Sequence, residues 1–265
     1  MNNSLKNPSI EVCGTRIDMT QIPEVLSVME SWIAARQRGR YISVTNATSV
    51  AIGRRHLAFK EAVNNSSLSV PDGFSLVLLA RLYGFPLGRR VYGPELMLEF
   101  LKRAEEKGYS NFLYGYNPEN LNLLTQVLRR RFPRLRIAGS CASIFGLKLT
   151  PEEKSSIIDA INAANPDVLW VGLGCPQQEF WMHEHRHKVN VPVMVGVGAA
   201  FDFLAGTKPQ APEWVRDNGF EWLFRLACEP RRLWRRYLVD GSQFACQATG
   251  ELIRHKCRRL GKRDV

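Results

Sequence analysis

Six short apolar runs recur through the first three-quarters of this chain, and longer helical stretches separate them. The runs are Arg40 to Thr45, Leu68 to Val70, Asn111 to Tyr114, Leu135 to Gly139, Val168 to Val171 and Val193 to Val195. Strands that alternate with helices imply βαβ units and a mostly parallel sheet. The runs are apolar on both sides of the pleat, which calls for helices on both faces of that sheet. The helical stretches are Thr20 to Arg36, with Val25, Met29, Trp32 and Ile33 on one side; a stretch to about Asn64; another to about Tyr83; Glu119 to Arg131; and a helix from about Gln177. Thr150-Pro151-Glu152-Glu153 is a capping box with proline in the first turn, opening a helix to about Ala164. Ahead of them, Glu11 to Asp18 alternates around a Gly14-Thr15 turn signal and predicts a small hairpin. The rhythm stops at Gly206. Residues 207–265 carry no strand signal and are rich in Arg, Trp and Phe. The expected organisation is therefore an α/β domain over 1–206 and a basic helical appendage over 207–265.

The 265 residues carry a formal charge of +11, which attracts phosphates without choosing among nucleic acid, anionic lipid and nucleotide-sugar. Six scattered cysteines form no CxxC pair, which argues against a zinc site or a disulfide framework and suits a reducing cytoplasm. Met1 to Ile10 has no apolar signal core, and no run of about 18 apolar residues is present, so contact with a membrane is expected from its surface.

Ligands of open α/β sheets bind beyond the carboxyl ends of the strands. Thr45-Asn46, Pro71-Asp72-Gly73, Gly115, Gly172-Leu173-Gly174 and Gly196-Val197-Gly198 stand at five such ends and are expected to converge on one rim. Asp72 has two readings, a helix N-cap or a general base held on a fixed turn. The glycines at 115, 174 and 198 either bring backbone N–H groups to a diphosphate or are ordinary turns. Neither GxG loop completes GxGxxG, which marks down a dinucleotide oxidoreductase. Gln178 and Glu179 open a helix where they can reach a base or a sugar, or simply meet solvent. Arg90 either contacts phosphate or lies on the surface. His56, His183, His185, His187 and His255 form no HExxH, and there is no DxD pair. A diphosphate is then expected to be met by arginines and backbone dipoles, with no metal and no cofactor.

In Pro230 to Leu238 the residues Leu233, Trp234, Tyr237 and Leu238 form an apolar stripe with arginines opposite. This amphipathic segment suits a membrane surface, or docking on its own domain; nucleic acid is a third option.

Taken in order, several stretches resemble the WecG/TagA/CpsF glycosyltransferase family. They are Val70-Pro71-Asp72-Gly73, Arg90 to Leu96, Pro176 to Trp181, Gly196 to Gly206, Ala211 to Trp214, Glu221 to Leu226 and Glu229 to Arg232. The resemblance runs from Ile10 to Leu238. It implies a Rossmann-like domain with a basic appendage that docks on the inner face of the cytoplasmic membrane and closes the site. It implies inverting transfer of an amino-sugar, typically N-acetylmannosamine, from a UDP donor to an undecaprenyl-diphosphate-linked sugar, without metal. Asp72 matches the family's base. Thr45, Asn46, Arg90, Gln178 and Glu179, with Gly115, Gly174, Gly198, Asp202, Arg225 and Arg231, are the implied substrate-binding residues. Members commonly place Thr where this chain has Val44, and Arg where it has Gln210, so that Arg216, Arg225 or Arg231 must serve instead. Two rival readings remain, a nucleotide-dependent oxidoreductase and a non-catalytic basic protein of membrane or nucleic acid. A homo-oligomer is left open.

Overall fold

The computed structural model describes residues 8–143 and 150–260, with side chains to 257. A hairpin of β1 (Ser9–Val12) and β2 (Thr15–Asp18) comes first, antiparallel. Cys13 and Gly14 make its turn, both at positive φ, as two-residue hairpins require; the turn therefore sits one residue earlier than the sequence signal. The chain continues through α1 (Ile22–Ala34), β3 (Tyr41–Thr45), α2 (Ala47–Arg55), α3 (Leu57–Asn64), β4 (Leu68–Pro71) and α4 (Phe74–Leu82). Next come α5 (Gly93–Lys107), β5 (Ser110–Gly115), α6 (Pro118–Arg131), β6 (Arg136–Ala142), α7 (Pro151–Ala164), β7 (Val168–Gly172), α8 (Gln177–His185), β8 (Val193–Gly196) and α9 (Ala200–Ala205). No strand was described after Gly206: α10 (Glu213–Asp217), α11 (Glu221–Cys228), α12 (Pro230–Trp234), a π-helical turn over Arg235–Asp240 and α13 (Gly241–Leu260) follow.

Strands β3 to β8 form one sheet in the order β4-β3-β8-β7-β5-β6, and every neighbouring pair is parallel. The expected α/β, Rossmann-like architecture is what the chain adopts. Successive strand residues point to opposite faces, and each face has its own core. Ile42, Trp170 and Val195 pack with Met29 of α1, Phe100 of α5, Leu124 of α6 and Phe201 of α9. Tyr41, Leu169, Val171 and Met194 pack on the other face with Ile161 of α7 and Met182 of α8. On that second side Phe59 of α3 also meets Phe180 of α8, ring to ring at 5.6 Å. Each such apolar side chain removed from water contributes roughly 1.5–3 kcal/mol.

Two local features depart from the sequence reading. The helix after β3 is broken at His56, whose extended backbone ends α2 and opens α3. Helix α5 was not expected at all. Its signals were present nonetheless: Pro94 in the first turn, and Leu96, Met97, Phe100, Leu101 and Ala104 buried on one face at helical spacing.

The appendage returns to the body of the protein. Phe244 and Ala248 of α13 are buried with Ile10, Val12 and Ile17 of the hairpin and Leu76 and Val77 of α4. The Cys13 backbone N–H donates to Glu251 Oε2 at 2.8 Å, and Arg55 pairs with Asp240 at 2.6 Å.

At the centre of the sheet, the Trp170 indole N–H donates to Asn111 Oδ1 at 2.9 Å, and both residues are fully buried. Asn111→Ala strands that donor in the core. The variant is expected to lose roughly 1–3 kcal/mol of unfolding free energy in a denaturant titration. A loss under about 0.5 kcal/mol, the range of a neutral surface change, would show that the bond is dispensable.

Candidate active site

Strand β3 leads into α2 and α3, and α3 packs on one face. Its neighbour β8 leads to α9 on the opposite face. The chain therefore diverges above these two strands and leaves a crevice at their carboxyl ends. Asp72 stands over it. Its backbone N–H donates to the carbonyl of Thr45 at 2.7 Å, which continues the β3–β4 pairing by one more bond. Gly73 follows at φ 120°, ψ 140°, a conformation closed to residues with a Cβ, and it is Gly73 that caps α4, with no side-chain bond. Of the two sequence readings of Asp72, the N-cap is thus set aside, and the carboxylate is left facing the crevice. Asn46 is the residue that caps: its Oδ1 accepts from the N–H groups of Thr48 at 3.0 Å and Ser49 at 3.2 Å.

Asp72 is 19% exposed at its side chain, and its Oδ1 is enclosed without a hydrogen-bond partner. Arg90 Nη1 lies 3.7 Å from that oxygen, an ion-pair distance but too long for a hydrogen bond. The other arm of the guanidinium, Nη2, is bonded to Glu221 of α11. Arg90 also lies over the ring of Tyr92 at 4.2 Å, and the Tyr92 hydroxyl donates to Glu221 Oε1 at 3.3 Å. Burial pushes the Asp72 carboxyl up to about 6; Arg90 draws it down and Glu221 pushes it further up.

Two cavities meet at this cluster. One, of about 460 Å³, runs over the glycine loops and is lined by Val44, Tyr92, Gly174, Gln178, Gly198 and Asp202, with Lys208, Arg225, Arg232 and Arg236 on its wall. The other, of about 490 Å³, lies under the appendage between Phe74, Trp222, Tyr237, Leu238 and Phe244. Asn46, Asp72, Glu221, Arg225 and Arg236 line both.

The crevice brings together Asn46, Asp72, Gly174, Gln178, Gly198, Asp202 and Arg225, with Arg90 on the wall of the apolar cavity. Gln178 is buried; its Nε2 donates to Glu179 Oε1 at 2.8 Å, and its own Oε1 has no partner. Gly196 leaves the room it needs, since a Cβ there would stand 3.0 Å from Gln178 Nε2. Asp202 is already well bonded: it accepts from Tyr116 Oη at 3.0 Å and Asn120 Nδ2 at 2.8 Å and pairs with Lys208 at 2.9 Å. Glu179 lies behind Gln178, fully buried, and burial pushes its carboxyl up to about 7.

Three residues lie elsewhere. Thr45 is buried within the sheet, with its hydroxyl at 2.9 Å from Ser69 Oγ and 3.0 Å from Ser43 Oγ; Val44 is the β3 side chain at the cavity. Gly115 gives way to packing, because a Cβ there would press on Leu121 and Phe201 at 3.2 and 3.3 Å. Arg231 is exposed on α12, and its neighbour Arg232 reaches the cavity instead. The amphipathic stripe is divided: Leu233 is buried, Tyr237 and Leu238 line the apolar cavity, and Trp234 faces outward.

Tyr92, Lys208, Glu221, Arg232 and Arg236 were not singled out from the sequence. Glu221 meets Arg90 across 131 residues, a pairing that no local pattern announces. The tail arginines were visible as a group, but not that Arg225, Arg232 and Arg236 line the cavity while Arg231 is exposed. Among the described residues no group of three His, Cys, Asp or Glu stands close enough to hold a metal ion.

A parallel sheet with a carboxylate and arginines at its open end marks a ligand site without naming the ligand, and the family comparison narrows it. Residues 10–258 match the model of the glycosyl transferase WecG/TagA/CpsF family, and the chain belongs to that family. It is a glycosyltransferase, and the oxidoreductase and non-catalytic readings fall away. It is similar to a Bacillus spizizenii protein, 28% identical over 83% of this chain and 82% of the relative, named N-acetylglucosaminyldiphosphoundecaprenol N-acetyl-beta-D-mannosaminyltransferase. A Staphylococcus aureus protein of the same name is 29% identical over 85% of this chain and 87% of its own.

Asp72 is expected to titrate near pH 6, read by carbon-13 NMR of its carboxyl and assigned by the signal lost in Asp72→Asn. Arg90→Gln removes a cation that favours the ionised form and is expected to move that titration to higher pH. Titration near pH 4 in the wild type, the ordinary aspartate range, would contradict this account of the site.

Proposed function

We propose that this protein transfers N-acetylmannosamine from a UDP donor to a sugar carried on undecaprenyl diphosphate, with inversion and without a bound metal. The observation that carries this is the position of Asp72 where a cation-walled cavity over the glycine loops meets an apolar cavity under the appendage. The first suits a nucleotide diphosphate, and the second suits an acceptor with a hydrocarbon chain. The names of the relatives specify both the sugar moved and the lipid-linked acceptor.

In this mechanism Asp72 takes the proton of the acceptor hydroxyl. The oxygen forms its bond to the anomeric carbon on the face away from the diphosphate as the bond to UDP breaks, which inverts that centre. Charge grows on the departing diphosphate. Lys208, Arg225, Arg232 and Arg236 line the cavity where it leaves and supply the neutralisation a metal ion gives elsewhere. Gln178, with an unpaired buried oxygen, is suited to a donor hydroxyl or amide. Asn46, capping through Oδ1, also hydrogen-bonds the Asp72 carboxyl through its side chain, which favours the ionised form of the base.

We further infer that residues 207–265 act as a membrane-docking appendage, with the domain boundary near Gly206, and that the protein works peripherally on the inner face of the cell membrane. No described helix is long and apolar enough to cross a bilayer. Trp214 is 69% exposed, Phe220 53% and Leu223 50%, all on or beside short helices next to the apolar cavity, followed in the chain by Arg231, Arg232, Arg235 and Arg236. Exposed aromatic and aliphatic side chains among arginines suit an anionic interface.

Asp72→Asn is expected to lower acceptor-dependent UDP release by about 10²-fold or more while UDP still binds, and EDTA is expected to leave the wild-type rate unchanged. Wild-type rates in Asp72→Asn would defeat the assignment of the base, and loss of activity in EDTA would defeat metal independence. In flotation with vesicles containing anionic lipid, Trp214→Ser combined with Leu223→Ser is expected to shift the protein to the unbound fraction. Undiminished flotation would place the membrane contact elsewhere.

A further inference from the structure

Arg90 stands between two carboxylates that come from different parts of the chain. Asp72 belongs to the turn after β4, and Glu221 opens α11 in the appendage. Guanidinium and carboxylate groups left to themselves close a two-armed fork. Here they do not: one arm is 3.7 Å from Asp72 Oδ1, and the other is bonded to Glu221. Glu221 is itself held. It is nearly buried, and it accepts from the Tyr92 hydroxyl, which in turn accepts from Gln210 Nε2 at 3.1 Å. Arg216 of α10 covers the same Tyr92 ring at 5.4 Å.

We propose that Glu221 is a positioning residue for the transfer: by holding one arm of Arg90 it prevents a full fork between Arg90 and Asp72, so that the appendage sets how strong a base the carboxylate beneath it is.

The chemistry is direct. A carboxylate in a closed fork with arginine holds its negative charge comfortably and takes up protons poorly, its titration moved down by about one to three units. Such a group is a weak base for a sugar hydroxyl. The charged groups that face Asp72 are Arg90, from the segment before α5, and Glu221 and Arg225, from α11; Arg236 of the π-helical turn and the Tyr92 phenol stand in the same cluster. Arg90 and Arg225 both favour the ionised form of Asp72, and Glu221 opposes them. Because Glu221 comes from the appendage, covering the site and adjusting its base become one event.

The proposal rests on Asp72 being the base, and the test separates the two. The pH dependence of kcat/KM for acceptor-dependent UDP release is measured for the wild type, Glu221→Gln and Glu221→Asp. Glu221→Gln keeps the size of the side chain and removes its charge. Its acid limb is expected to move down by about one pH unit, with kcat on the plateau falling several-fold and KM for the UDP-sugar little changed. Glu221→Asp keeps the charge but draws it away from Arg90 by about 1.5 Å, one carbon–carbon bond, so its limb is expected to move the same way by less. An acid limb that stays in place in whichever variant folds, even with activity reduced, would show that Glu221 only supports the structure and would overturn the proposal. So would a limb that moves up. If Asp72→Asn retains activity, the base itself is wrong; if Asp72→Asn is inactive and the limb of the Glu221 variants stays in place, only the role of Glu221 falls.

Discussion

An arginine shared between two carboxylates ties the two parts of this protein together. Arg90 reaches Asp72 at the end of β4 and Glu221 at the start of α11, so the charge state at the open end of the sheet depends on helices that follow it by more than a hundred residues. Without that link the appendage would act on the Asp72 carboxylate only through cations such as Arg225, with no negative charge to oppose them. The Tyr92 ring stiffens the arrangement, with Arg90 on it at 4.2 Å and Arg216 at 5.4 Å. Two guanidinium groups on one ring would repel in isolation, and the Glu221 carboxylate between Arg90 and the Tyr92 hydroxyl offsets that.

The sheet makes this cluster possible by leaving a crevice at the carboxyl ends of its strands. Gly172 and Gly115, at the ends of neighbouring strands, would both drive a Cβ into Phe201, so α9 packs hard against the strand ends on its side. Gly196 does the corresponding service for Gln178 and Met182. Close packing on both faces forces the loops outward over the remaining gap, and the functional groups gather where helices cannot cover the strands.

Much of the fold was legible in the sequence because its signals are local. The six core strands, the parallel arrangement and most helices follow from apolar runs and capping residues, and boundaries moved by one to three positions. Helix α5 was not expected although Pro94 and the Leu96–Phe100 spacing are local signals of the same kind. At the site, the turn residues Asn46, Asp72, Gly174 and Gly198 were visible as strand ends. Their neighbours were harder. Thr45 and Val44 differ by one position and point to opposite sides of β3, so an error of one residue exchanges a cavity wall for the sheet interior. Arg231 and Arg232 are adjacent on α12, and only Arg232 reaches the cavity, a distinction that the composition of a basic segment cannot register.

The bond from the Cys13 backbone to Glu251 spans 238 residues, and Phe244 and Ala248 close over the hairpin beside it. On a ribosome the chain emerges from its N-terminus, and the hairpin and sheet are complete long before α13 leaves the exit tunnel. For that interval the apolar side chains Ile10, Val12 and Leu76 have no roof, and the cavity next to Asp72 has no far wall. The nascent protein thus carries the Asp72 carboxylate before the far wall of the cavity beside it exists, and the order of synthesis completes that cavity last.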